Sequence, residues 1–151
     1  METLDINKYV GLWYEILHYP SWFQTNHDYN TTALYTLQDD GKLGVVNSTR
    51  REGRLVQARG TAEVYDESSF VVNLISWLRL NSPNYVVDKI WLDDDGNYKY
   101  SLVTDPKKKY MFLLSRIPHP PLHEYELILD YVIKNYNKKK FIATPHYDCV
   151  D

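Results

Sequence analysis

Turn-forming clusters recur roughly every ten residues along the chain, and the runs between them are β-branched and aromatic. Asp39-Asp40-Gly41-Lys42, Glu52-Gly53, Asp66–Ser69, Asn81–Asn84, Asp93–Asn97 and Asp105–Lys109 are the turn signals. They delimit eight predicted strands: Leu12–His18, Thr32–Leu37, Leu43–Ser48, Leu55–Tyr65, Phe70–Ile75, Tyr85–Leu92, Tyr98–Val103 and Tyr110–Ser115. Side chains alternate between the two faces of a strand, so spacing by two assigns a face. Ala33, Tyr35 and Leu37 form one apolar row, and Phe70, Val72 and Leu74 another. Phe112 and Leu114 share a face with Arg116. In Tyr85–Leu92 both parities are comparably apolar, and its facing stays open.

The pattern then changes period. Tyr125, Ile128, Leu129, Val132 and Tyr136 recur every three to four residues, which predicts one amphipathic helix over Leu122–Asn137 after Pro120-Pro121. Lys138–Lys140 follow it, suited to the negative end of the helix dipole, and Phe141–Thr144 reads as a last short strand. Regularly spaced strands with tight turns fit an up-and-down barrel or a sandwich. Eight strands, one helix and one strand favour an all-β fold: an eight-stranded antiparallel up-and-down barrel in a single domain over 1–151, with the helix packed outside. Closing eight strands removes the sheet edges and leaves an interior sized for one small ligand.

Composition narrows the function more than the fold. A net charge of −3 gives no footprint for nucleic acid. The 14 Tyr, 4 Trp and 4 Phe suit a β-rich core or an aromatic-lined cavity. No apolar stretch approaches the roughly 18 residues of a membrane span. Cys149 is the one cysteine, so no internal disulfide forms. Met1–Asp5 lacks a basic and then apolar leader pattern, and the expectation is a soluble protein in an intracellular or other reducing compartment.

Chemistry-bearing patterns are sparse. The prolines between His119 and His123 break a helical metal-binding face, and no paired-cysteine or His-Glu-x-x-His pattern occurs. Asp93–Asn97 lacks the ligand spacing of a calcium loop. No metal, cofactor or catalytic residue is expected. Glu15 shares strand parity with Trp13 and Leu17, which directs a carboxylate into the barrel, where it needs a partner. A structural hydrogen bond is the favoured reading over a ligand contact.

Three segments carry a family resemblance: Gly11-Leu12-Trp13 at the first strand, Asp95 and Tyr98 between strands six and seven, and Leu113-Leu114-Ser115-Arg116 ending strand eight. In this order and spacing the chain resembles a lipocalin, on the branch of the bacterial outer-membrane lipocalins and apolipoprotein D. The resemblance implies that Gly11, Trp13, Asp95, Tyr98 and Arg116 meet at the closed end as fold residues, with Arg116 across the Trp13 indole. It implies too that Thr49 occupies a strand-three position where secreted relatives carry a cysteine paired with one near the C-terminus.

The implied function is binding or transport of a small hydrophobic ligand, such as a fatty acid or other lipid-like amphiphile, without catalysis. Tyr35, Val45, Asn47, Val72, Leu74, Tyr100, Phe112 and Leu114 are the expected lumen wall. Trp22 and Phe23, in a lid over Tyr19–Asn30, and Trp77, in the loop Ser76–Asn84, are the expected contacts at the mouth. Lys107, Lys108 and Lys109 are expected at the rim, facing an anionic headgroup. The open-end loops also suit a peripheral membrane or protein contact. The alternatives are an interaction protein that uses only the barrel surface, and an isomerase or synthase on the same fold.

Overall fold

A computed structural model describes residues 3–21, 24–73 and 84–147. A single helical turn, α1 (Ile6–Tyr9), is capped by the Asp5 side chain. Eight strands follow: β1 (Gly11–His18), β2 (Tyr29–Leu37), β3 (Leu43–Arg51), β4 (Arg54–Val64), β5 (Ser69–Asn73), β6 (Tyr85–Leu92), β7 (Tyr98–Thr104) and β8 (Met111–Ser115). Each pairs antiparallel with the next, and β1 pairs with both β2 and β8, which closes the barrel. Helix α2 (Leu122–Asn135) packs outside, and β9 (Ile142–Ala143) pairs with the second half of β1.

Two apolar clusters divide the chain. The inner one fills the lower barrel with Trp13, Tyr35, Leu43, Val45, Phe70 and Leu114 around Tyr9. The outer one joins the barrel wall, through Ile16, Leu102, Met111 and Leu113, to the helix stripe Ile128, Val132 and Tyr136. The predicted helical face is the buried one because its apolar positions meet the wall strands β7 and β8.

Alternation breaks at four bulges among the described strands; one lies between Tyr29 and Thr32 on β2, and the other three decide a facing. On β1, Glu15 lies opposite the inward Leu114, whereas Leu17 lies opposite the outward Leu113. The extra residue Ile16 reverses the phase, so Leu17 does not share the face of Trp13, as parity predicts. On β6, Val87 pairs with Val103 and Lys89 with Leu102, leaving Asp88 as the extra residue. Tyr85, Val87 and Ile90 therefore point inward and Trp91 outward, which explains why neither parity stood out in the sequence. On β7, Leu92 pairs with Tyr98 and Trp91 with Tyr100, so Lys99 is extra and Tyr98 and Tyr100 face opposite sides.

The closed end is tightly sealed. Trp13 is fully buried, and its Nε1 donates to the Tyr9 carbonyl at 2.8 Å. The Arg116 guanidinium stands 3.7 Å from the centroid of the Trp13 ring. It also donates to the carbonyls of Lys8, Tyr9, Val10 and Leu12 at 2.8 to 3.2 Å. Gly11, at φ +110°, allows this: a Cβ there would lie 3.2 Å from Arg116 Nη1. Tyr98 packs on the inner cluster, and its hydroxyl accepts from the Asp5 amide. The nearby turn is organised by Asp93, whose Oδ1 accepts from the amides of Asp95 and Asn97. Asp95 contributes its amide to this closed-end turn.

Truncating Trp13 to alanine removes both the plug and the surface on which Arg116 rests. The expected loss is roughly 3–5 kcal/mol in a denaturant titration, typical of a large core truncation. A Trp13→Ala protein with a wild-type midpoint would remove the seal from the account of stability.

Candidate functional site

The barrel interior has a filled floor and an open upper half. At the floor, Tyr9 packs on Trp13, Tyr35 and Phe70 with ring centroids 5.2 to 5.9 Å apart. The hydroxyl groups are paired among themselves. Tyr35 donates to Tyr85 at 2.7 Å, and Tyr9 lies 3.1 Å from the Ser101 hydroxyl. Burial pushes the Tyr35 and Tyr85 phenols well above their ordinary values, so the network is neutral at physiological pH.

Above this floor the inward side chains become small and accessible. The β3–β4 register puts Val56, Ala58 and Gly60 opposite Thr49, Asn47 and Val45, on the inward face. Val45 is buried, but Asn47 and Gly60 are half-buried, Ala58 is exposed and Val56 is 36% exposed. Val72 and Phe112 pack on the inner cluster and also keep partial exposure. Inward residues that solvent reaches define a cup. From Val45 to Arg51 its β3 wall extends roughly 20 Å, at ~3.4 Å per residue.

Its mouth is crossed by the β1–β2 loop, which is latched twice. Gln24 Nε2 donates to both Glu15 carboxylate oxygens at 3.0 and 3.2 Å, and the Thr144 hydroxyl donates to Oε1 at 2.8 Å. His18 Nε2 is 3.7 Å from the same carboxylate, and its Nδ1 donates to the Tyr19 carbonyl. The second latch is Asp28, which takes a two-pronged contact from Arg51 at 3.0 and 2.9 Å and is also bonded by Thr25. Burial raises the Glu15 carboxyl above its ordinary value despite His18, Gln24 and Thr144. At Asp28 burial acts in the same sense but is outweighed by Arg51 and Thr25, and the carboxyl ends up lowered.

The expected site residues sort as follows. Tyr35, Val45, Val72, Phe112 and Leu114 belong to the inner cluster, and Asn47 faces inward opposite Ala33. Tyr100 does not join them. The bulge at Lys99 turns it outward beneath the helix, where its hydroxyl donates to Glu124 at 2.7 Å. Lys108 lies 4.9 Å from the Tyr136 ring, on the helix side, and Lys109 lies 5.7 Å from Tyr110 at the lip. Trp22, Phe23, Leu74, Trp77 and Cys149 lie outside the described residues. Thr49 is bonded to Thr31, their hydroxyl oxygens 2.7 Å apart. Tyr9 and Tyr85 were missed as interior residues: one precedes the first strand, and the bulge at Asp88 hides the facing of the other.

Comparison with known proteins agrees with this geometry. A family model described as a lipocalin-like domain matches residues 4–146. The chain belongs to the lipocalin family. Members of this family generally bind small hydrophobic ligands. Temperature-induced lipocalin-1 of Arabidopsis thaliana is 30% identical over 155 residues, covering 98% of this chain and 82% of the relative. Outer membrane lipoprotein Blc of Vibrio cholerae is 30% identical over 120 residues, covering 78% of this chain and 68% of the relative. Apolipoprotein D of Macaca fascicularis is 27% identical over 158 residues, covering 98% and 80%. Among solved structures, the cockroach allergen Per a 4 superposes with a TM-score of 0.73 at 21% identity, covering 99% of this chain and 94% of that one. Insecticyanin of Manduca sexta gives 0.71 at 18%, covering 99% and 85%. At these identities the two structures bear on the fold alone.

The Glu15 latch has a pH signature. Its carboxyl titrates higher in the folded than in the unfolded lipocalin, so its contribution is fully present below the ordinary glutamate value. That contribution is lost as pH rises through the folded value. Glu15→Gln keeps an acceptor for Thr144 and should flatten this decline when melting temperature is followed against pH. An unchanged slope in the variant would assign the decline to other groups.

Proposed function

We propose that this lipocalin carries a long-chain fatty acid or a similar lipid-like amphiphile in the upper half of its barrel and performs no chemistry on it. The observation that carries the reading is the accessible inward surface of β3 and β4, where Asn47, Val56 and Ala58 face the lumen above a filled floor. Apolar walls at Val72 and Phe112, which keep partial exposure above the buried cluster, suit an alkyl chain. Burying about ten methylenes contributes on the order of 8 kcal/mol, at ~0.8 each. Taken alone that gain corresponds to roughly micromolar affinity, and losses in translational freedom and ordering weaken it, so headgroup and further wall contacts must offset those losses for binding to stay near micromolar.

The absence of chemistry is argued from the mouth. Among the described residues, Glu15 and His18 are the carboxylate and imidazole on the inward face near the mouth, and Gln24 and Thr144 hold the Glu15 oxygens. That arrangement positions a loop and leaves no free carboxylate oxygen to serve as a base.

The test is a fluorescent fatty acid titrated into wild type, Ala58→Trp and Phe112→Asp. Wild type is expected to saturate at about one ligand per barrel. Ala58→Trp fills the cup from an exposed position, leaving the buried floor untouched, and should weaken binding at least about tenfold, the effect of ~1.4 kcal/mol. Phe112→Asp places a charge on the wall and should abolish binding. No saturable signal from wild type, or equal binding by Ala58→Trp, would leave the barrel surface as the functional element. Organic extraction of the purified protein followed by lipid mass spectrometry identifies the cargo class.

A further inference from the structure

The up-and-down topology sends successive turns to opposite ends of the barrel, and the charges follow. The closed-end turns β2–β3, β4–β5 and β6–β7 carry Asp39-Asp40, Asp66-Glu67 and Asp93–Asp95, with Lys42 as their one basic residue. The described open-end segments are the reverse. Arg50, Arg51 and Arg54 flank the β3–β4 turn, Lys107–Lys109 form the β7–β8 turn, and Lys138–Lys140 follow α2, which ends at the same level. Acidic residues at this end are few. Asp28 is paired with Arg51, the Asp105 side chain accepts from the amides of Lys107 and Tyr110, and Glu52 lies in the β3–β4 turn; Glu15 is buried in the mouth latch, and Asp88 accepts from the Tyr136 hydroxyl. Among the described residues, a chain of net charge −3 thus presents lysine-rich turns at the mouth and acidic turns at the base.

The two lysine runs converge at the lip. Lys109 and Lys140, with Tyr19, Pro20, Ser21 and Tyr110, line an open groove of about 390 Å³. Lys108 stands over Tyr136 at 4.9 Å and Lys140 over Tyr19 at 5.5 Å, and these two rings meet edge to face. All six lysines are exposed, and none has a carboxylate within 4.0 Å among the described residues. Aromatic rings hold the ammonium groups of Lys108, Lys109 and Lys140 in place without neutralising them.

We infer that this edge docks the mouth of the barrel onto an anionic phospholipid bilayer, with the Lys109–Lys140 groove taking lipid phosphate. The argument is charge complementarity: clustered uncompensated lysines meet the negative potential of such a surface, while the acidic closed end is repelled and turns away. Tyr19, Pro20 and Ser21 belong both to the groove and to the start of the mouth loop, so docking brings the lumen opening to the lipid. The inference goes beyond the cargo reading and stands without it, since vesicle binding is measured with no ligand in the cup.

The experiment is co-sedimentation with phosphatidylcholine vesicles and with vesicles containing roughly one-third phosphatidylserine. Wild type is expected to partition at least about tenfold more strongly onto the anionic vesicles. The preference should collapse at about 1 M salt, where the screening length is roughly 3 Å. The variant K107Q, K108Q, K109Q, K138Q, K139Q and K140Q should fall to the level seen on neutral vesicles, with an unchanged circular dichroism spectrum. Each triple variant, K107Q/K108Q/K109Q and K138Q/K139Q/K140Q, should lie between, and these serve if the sixfold variant does not fold. Equal partition of wild type on both vesicles, insensitivity to salt, or folded lysine variants that bind as wild type would overturn the inference. Fluorescent fatty-acid titration without vesicles reports the cup separately, so failure of one reading is distinguishable from failure of the other.

Discussion

The stacking of Arg116 on Trp13 is the interaction on which the rest of the barrel depends. A closed barrel needs one end stopped, or water reaches every inward side chain. Here the stopper is a fully buried indole with a guanidinium over its face at 3.7 Å. The cation is tolerated because the carbonyls of residues 8, 9, 10 and 12 accept its hydrogen bonds, which also ties α1 across the barrel base. A buried charge without such partners would cost several kcal/mol. Three distant parts of the chain meet in one contact set, and it holds β1, β8 and the pre-strand turn in register.

Above the seal, the interior changes character with height. The floor is aromatic and its hydroxyl groups are paired internally, as burial in a low-dielectric core demands. The next levels lose bulk on β4, where Ala62, Gly60 and Ala58 succeed one another on the inward face. The cup exists because β4 supplies so little side-chain volume against Asn47 and Val45. Its upper boundary is polar, since Glu15, Asp28 and Arg51 bind the mouth loop through hydrogen bonds and one ion pair. Apolar wall, filled base and polar lip together suit an amphiphile better than a plain hydrocarbon.

Much of this was legible in the sequence. All eight barrel strands, the helix and the final strand lie where hydrophobic period and turn chemistry put them, because both are local signals. Trp13 and Arg116 were identifiable from their motif segments, as were Tyr35, Phe112 and Leu114 from simple alternation. The segregation of acidic and basic turns is also written in the sequence, but it acquires meaning only when the topology sends alternate turns to opposite ends.

What tertiary structure decided was mainly phase. A bulge adds one residue without changing composition, so nothing in the hydrophobic pattern announces it, yet every side chain beyond it changes face. The extra residues Ile16, Asp88 and Lys99 turned Leu17 outward, Ile90 inward and Tyr100 away from the lumen. Lys108 faces the helix because Tyr136 stands beside it, a neighbour 28 positions away in the chain. Periodicity determined which residues could be inside; the register of hydrogen-bonded neighbours determined which of them are.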